Sequence, residues 1–128
     1  MKVAPARRAA YEVLLRVAEE GAYADRALRS ASADLDDRDR SLARQLAFGS
    51  VQRLRTLDHA IETLGKRPVR KLDPPVRAAL RLGAYQLGYL DGVPRYAAVN
   101  ESVELVPLEV QPEGGRRMDY DAFLRGLK

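Results

Sequence analysis

Apolar residues in this chain return every three or four positions, run after run, and no stretch sustains the two-residue alternation of a half-buried strand. A chain patterned this way buries its apolar surface by packing helix on helix. Proline and glycine punctuate the runs. Pro5 opens the first, where Ala6, Ala10, Val13, Leu14 and Val17 form the stripe, and Gly21 closes it. A short second helix fits 23–29, with a polar, loop-like stretch over 30–36 behind it. Asp36 or Asp37 caps a third helix whose core face is Leu42, Ala43, Leu46, Gly49 and Ser50, with Leu54 at the margin. Thr56 caps a fourth carrying Leu57, Ala60, Ile61 and Leu64, stopped by Gly65. After a basic connector over 66–71, Asp73 followed by two prolines starts a fifth, with Val76, Ala79, Leu80, Gly83, Ala84 and Leu87 inward. The break at 91–94 precedes a sixth, with Ala98, Val99, Ser102, Val103 and Val106 inward and Pro107 at its end. A loop over 108–118 and a last short helix at about 119–127, capped by Asp119, complete the reading. The expectation is an all-α bundle of about six or seven helices. At 128 residues it forms one domain. Gly49 and Gly83, inside helical runs, mark close approaches between helices.

Composition excludes more chemistry than it suggests. With no Cys there is no disulfide, thiolate metal site or cysteine nucleophile, and the single His59 cannot build a histidine metal cluster. No phosphate-loop, dinucleotide or zinc-protease signature occurs. Asp36, Asp37 and Asp39 precede a helix, where acids complement the dipole, and they lack the glycine and distal glutamate of a calcium loop. Asn100 and Glu101 read as structural polar residues rather than a catalytic pair. No catalytic residue, metal or cofactor is expected, so this chain alone is not read as an enzyme. No apolar run spans a bilayer and no secretory leader precedes the first helix, so a cytoplasmic location without membrane contact is expected.

The charge is more informative. Of the net +4, residues 1–36 contribute zero, 37–71 contribute nine basic against four acidic side chains, 72–105 contribute −1 and 106–128 zero. A polyanion would meet that central third. On the first helix Arg7, Arg8, Tyr11 and Leu15 lie opposite the core stripe, a basic and aromatic side suited to phosphates and bases, or a face covered by a second helical layer. Arg40, Arg44 and Arg55, drawn on one continuous third helix, fall within about 60° of one another, beside Phe48 and Val51. Lys66, Arg67, Arg70 and Lys71 place four charges in six positions of the connector. Arg77 and Arg81 stand one turn apart on the fifth helix, with Tyr85 a turn further, and Arg81 also lies close enough to the core to hydrogen-bond a helix end. These twelve side chains, leaving Leu15, Phe48, Val51 and Tyr85 aside, are the candidate RNA contacts.

Blocks in this order also resemble a known family. Arg8-Ala-Ala-Tyr-Glu-Val-Leu14, Asp37-Arg-Asp-Arg-Ser-Leu-Ala43, Phe48-Gly49, Leu57-Asp58, Leu80-Arg-Leu-Gly-Ala-Tyr-Gln-Leu87 and Val93-Pro-Arg-Tyr-Ala-Ala-Val-Asn-Glu-Ser-Val-Glu-Leu105 look like the NusB-like RNA-binding fold. The last two are most similar to the amino-terminal domain of the RsmB (Sun/Fmu) ribosomal RNA cytosine-5 methyltransferases. The resemblance covers roughly 6–106. It implies two packed helical layers, which would bury part of the second face of the first helix, and RNA binding through Arg7 and Arg8. It further implies ribosomal RNA as ligand, with a catalytic methyltransferase domain or a ribosomal protein as possible partner. The family's catalytic half, with its cysteine nucleophiles, has no counterpart here. An arginine of the family's Phe-Gly block is replaced in Phe48-Gly-Ser-Val-Gln52, leaving open whether Arg53 or Arg55 stands in for it. The closing block is degraded to Met118-Asp-Tyr-Asp-Ala-Phe-Leu-Arg125. Three functions therefore follow: a methyltransferase-type RNA-positioning module, an antitermination factor binding linear RNA with a ribosomal protein, or a protein-docking bundle.

Overall fold

A computed structural model describes residues 3–106. The expected loop over 108–118 and the last helix at 119–127 lie outside them. Six α-helices form: α1 (Pro5–Glu20), α2 (Ala24–Ala31), α3 (Asp37–Gln52), α4 (Leu54–Gly65), α5 (Pro74–Tyr89) and α6 (Arg95–Leu105), with a 3₁₀ turn at Val69–Lys71 between α4 and α5. No strand occurs among the described residues.

The termini follow the local chemistry for the most part. Gly21 adopts φ 71° and returns its N–H to the Arg16 carbonyl, closing α1 in the left-handed conformation glycine tolerates. The Asp36 carboxylate accepts the Asp39 N–H at 2.8 Å, so that acid caps α3. Two boundaries differ from the sequence reading. Helix α4 starts at Leu54, directly after Arg53 breaks the chain at φ −117°, and Thr56 lies inside it rather than at its cap. Gly65 is still helical, and Lys66 takes the left-handed position at φ 57°, where a side chain is strained.

Helices α1, α2 and α3 pack on one another, α4 and α6 flank α5, and α1 and α3 lie against α5 to join the two groups. Helix α5 is the hub. Every residue from Ala78 to Gln86 is buried, so the one-sided face read from its sequence is corrected to burial all round, as for a helix enclosed by others. Val17, Leu42, Ala60, Leu87 and Val103 of the expected core are only partly covered and Leu64 is exposed; for Ala60 and Leu64 the reason is that α4 lies on the outside of the bundle with α5 as its main neighbour. Gly49 is where α3 meets α5: a Cβ there would fall 2.1 Å from the Tyr85 hydroxyl oxygen.

Candidate nucleic-acid interface

Three of the expected RNA-contacting arginines are engaged within the fold, each tying α5 to another helix. Arg7 is only 8% exposed. Its Nε donates to Gln86 Oε1 at 2.6 Å and its Nη1 to Glu101 Oε2 at 2.9 Å, linking α1, α5 and α6. The other Glu101 oxygen accepts the Ala4 N–H, so Glu101 has the structural role read for it. Arg81 pairs in fork geometry with Asp58 of α4, at 2.7 and 2.9 Å. Arg77 pairs with both carboxylate oxygens of Glu19, near the far end of α1, and donates to the Leu72 carbonyl at 2.7 Å. The hydrogen bond from Arg77 holds the Glu19 carboxyl below its usual range, and the bond to Glu19 raises the arginine. The pairs 7–86 and 19–77 run α1 antiparallel to α5.

Of the two alternatives for the second face of the first helix, cover by a second helical layer is the one found, so exposure is corrected for Arg7 and Tyr11. Arg7 and Tyr11 are buried, Leu15 is half-buried, and of that set Arg8 is the exposed residue. Burial pushes the Tyr11 hydroxyl up, partly offset by the Arg8 charge. The physical reason is the second helical layer, which covers the side of α1 opposite its apolar stripe. Arg40 is engaged as well, although half of its side chain stays in solvent. Its Nη2 donates to the Leu35 carbonyl at 2.8 Å and to Ala33 at 3.4 Å, and its Nε to Ser32, so it closes the turn after α2. The chain break at Arg53 puts Arg55 on α4, off the line of Arg40 and Arg44 on α3.

What remains in solvent falls into separate groups. Arg8 is at the start of α1. Arg44 lies over the Phe48 ring at 4.8 Å on α3. Arg55 is exposed in the first turn of α4. Lys66, Arg67, Arg70 and Lys71 are all exposed around the 3₁₀ turn. That turn is braced: Glu62 Oε2 accepts the Val69 N–H at 2.7 Å, Val69 is buried, and Arg77 reaches the Leu72 and Arg70 carbonyls. The described residues include no carboxylate paired with Arg8, Arg44, Arg55 or these four. Arg8 is near the start of α1, whereas the connector is linked through Arg77 to Glu19 near its far end, and the helix rises roughly 16 Å between residues 8 and 19.

Arg53, read from the sequence only as a possible stand-in for the family's missing arginine, has a setting that spacing did not show. Arg53 lies over the Tyr89 ring at 4.7 Å and the Tyr85 ring at 5.8 Å, the two tyrosines stacking with centroids 5.5 Å apart. Tyr85 and Tyr89, one turn apart, were the available signal, but nothing in spacing alone brings Arg53 across to them.

The model of the NusB family matches residues 4–116. The chain belongs to the NusB family. Two kinds of NusB-family relative match it at similar identity. A probable ribosomal RNA small subunit methyltransferase B of Synechocystis is 43% identical over 78% of this chain, which spans only 23% of that protein's length. A transcription antitermination protein NusB of Alkalilimnicola ehrlichii is 44% identical over 72% of this chain and 53% of its own. Among solved structures, one chain of the complex of antitermination factors NusB and NusE with dsRNA superposes with a TM-score of 0.82 at 20% identity, covering 96% of this chain and 92% of that one. That likeness is one of fold. No described helix is long and apolar enough to cross a membrane, and the described residues include no acid or histidine cluster able to hold a metal ion.

Proposed function

We propose that this NusB-family chain is a non-catalytic RNA-binding module that positions structured ribosomal RNA for a methyltransferase domain. The observation carrying the proposal is the braced connector. Lys66, Arg67, Arg70 and Lys71 stand exposed on a turn held by Glu62, Val69 and Arg77, so four positive charges are presented without the entropy loss of ordering a flexible loop. Arg8, Arg44 and Arg55 add phosphate contacts on other faces. The methyltransferase assignment is supported by the 80–87 and 93–105 blocks, which build α5 and α6 and supply Gln86 and Glu101 to Arg7. It is also supported by the match to about a quarter of the length of such an enzyme. The catalytic domain, ribosomal RNA as ligand and a cytoplasmic site of action all belong to this reading.

The similarity to an antitermination protein NusB supports a second reading, in which the chain binds linear RNA jointly with a ribosomal protein. Competition between a small-subunit ribosomal RNA hairpin and a linear RNA separates the two. Preference for the hairpin is expected. Preference for the linear RNA, strengthened by a ribosomal protein, would favour the second reading. No salt-sensitive binding to either RNA would leave a protein-docking bundle.

A further inference from the structure

Helices α2 and α3 leave an open groove between them of about 710 Å³, in the size range of small-ligand sites. One wall is a face of α2 with Asp25 and Arg29 a turn apart. The other is a line along α3, Asp37, Arg40, Arg44 and Phe48, at successive helical turns. The parts have different freedoms. Arg40 donates to the carbonyls that follow α2 and lies 3.7 Å from Asp37, with half of its side chain exposed. Arg29 and Arg44 are exposed and have no carboxylate partner among the described residues. Phe48 is half-buried, with the Arg44 guanidinium over its ring.

Two unpaired cations, a ring and two carboxylates in one groove answer the parts of a nucleotide. The cations suit phosphate, the ring suits a base face, and the carboxylates accept from ribose hydroxyls or base amino groups. Charge alone selects this groove only weakly, because Asp25 and Asp37 leave the three guanidiniums of Arg29, Arg40 and Arg44 a net charge of only +1. A bare polyanion is therefore a poor occupant, and a nucleoside with hydrogen-bond donors is a good one. A duplex keeps its bases stacked inside and cannot offer one to Phe48.

We infer that the α2–α3 groove is a binding site for one nucleotide of single-stranded RNA, with phosphate on Arg29 and Arg44 and the base against Phe48. This rests on the RNA-binding reading above and adds to it a second contact, away from the connector, that takes an unpaired base.

The test uses the chain with a short 5-iodouridine-substituted oligouridylate, following binding by anisotropy and photo-crosslinks by mass spectrometry. Trypsin isolates Phe48 in the peptide 45–53. Crosslinking to that peptide is expected. Arg29→Gln and Arg44→Gln should each flatten the log–log salt slope by about 0.7. Phe48→Leu, which keeps apolar packing, should weaken binding about fivefold or more with the slope unchanged. The two glutamine variants change exposed residues, so they report even if Phe48→Leu perturbs the fold. RNA that binds all three variants like the wild type and crosslinks elsewhere overturns the groove while the RNA-binding reading stands. A wild-type chain with no salt-sensitive RNA binding overturns both.

Discussion

Replacing Arg7 by methionine removes a cation that the structure uses internally, and the cost follows from what is left behind. The guanidinium makes two hydrogen bonds, to Gln86 at 2.6 Å and Glu101 at 2.9 Å, and the two members of the ion pair have side chains only 10% and 11% exposed. Methionine fills much of the same space, so the packing loss is small. The Glu101 carboxylate, however, keeps only the Ala4 N–H as partner and stays buried with its charge unopposed. Breaking a buried pair from one side typically costs about 3–5 kcal/mol. At roughly 3–5 °C per kcal/mol for a domain of this size, the lower end of that range lowers Tm by about 10–15 °C. Adding Glu101→Gln should recover part of the loss by removing the stranded charge, giving a coupling energy of about 0.5–3 kcal/mol in a double-mutant cycle followed by urea unfolding. A loss below about 1 kcal/mol for Arg7→Met is what an ordinary surface arginine gives. That result would refute the assignment of Arg7 to the fold.

Other outcomes follow from the same geometry. Gly49→Ala puts a methyl 2.1 Å from the Tyr85 hydroxyl oxygen. Overpacking of about 1–3 kcal/mol should outweigh the roughly 1 kcal/mol gained in helix propensity. Gly88→Ala, with nothing within 4 Å, should instead stabilise by about 0.5–1 kcal/mol, and paired thermal melts distinguish the two. Glu19 has a lowered folded-state pKa, so its contribution is present above the unfolded carboxylate range and is lost as pH falls through the folded value; Glu19→Gln should flatten the acid limb of a stability–pH curve. Tyr11 has a raised one, so its contribution is present below about pH 10 and is lost as pH rises further; Tyr11→Phe should flatten the alkaline limb.

The elements are legible in the sequence because the helices are marked locally. Pro5, Gly21, Asp36 and Pro74 act within one turn of their own positions, and the apolar stripes of α1, α3 and α5 are read from spacing. The misplacements come from interactions that spacing does not record. Periodicity gives each helix an inside and an outside, but α1 and α5 are covered on more than one side. Spacing therefore draws Arg7, Tyr11 and Arg81 on or near a surface that the second layer occupies. An arginine on such a face looks the same in sequence whether its partner is a phosphate or a carboxylate 94 residues away, as Glu101 is from Arg7. The break at Arg53 has no proline or glycine to announce it, which is why spacing aligns Arg55 with the wrong helix. The connector is legible as a charge cluster; its bracing by Glu62 and Arg77 is not, because that depends on where α4 and α5 meet.

The most direct test of the account is RNA affinity across a salt series for the wild-type chain and a variant with Lys66, Arg67, Arg70 and Lys71 all changed to Gln. If the braced connector grips the RNA backbone, the variant binds more weakly and its log–log salt slope is shallower by about 0.7–0.9 for each phosphate no longer neutralised. Arg7→Met, measured at a temperature where it is folded, should leave that slope unchanged. An unaltered slope in the connector variant, or a flattened one in Arg7→Met, would contradict the division between arginines that hold the fold and cations that meet RNA.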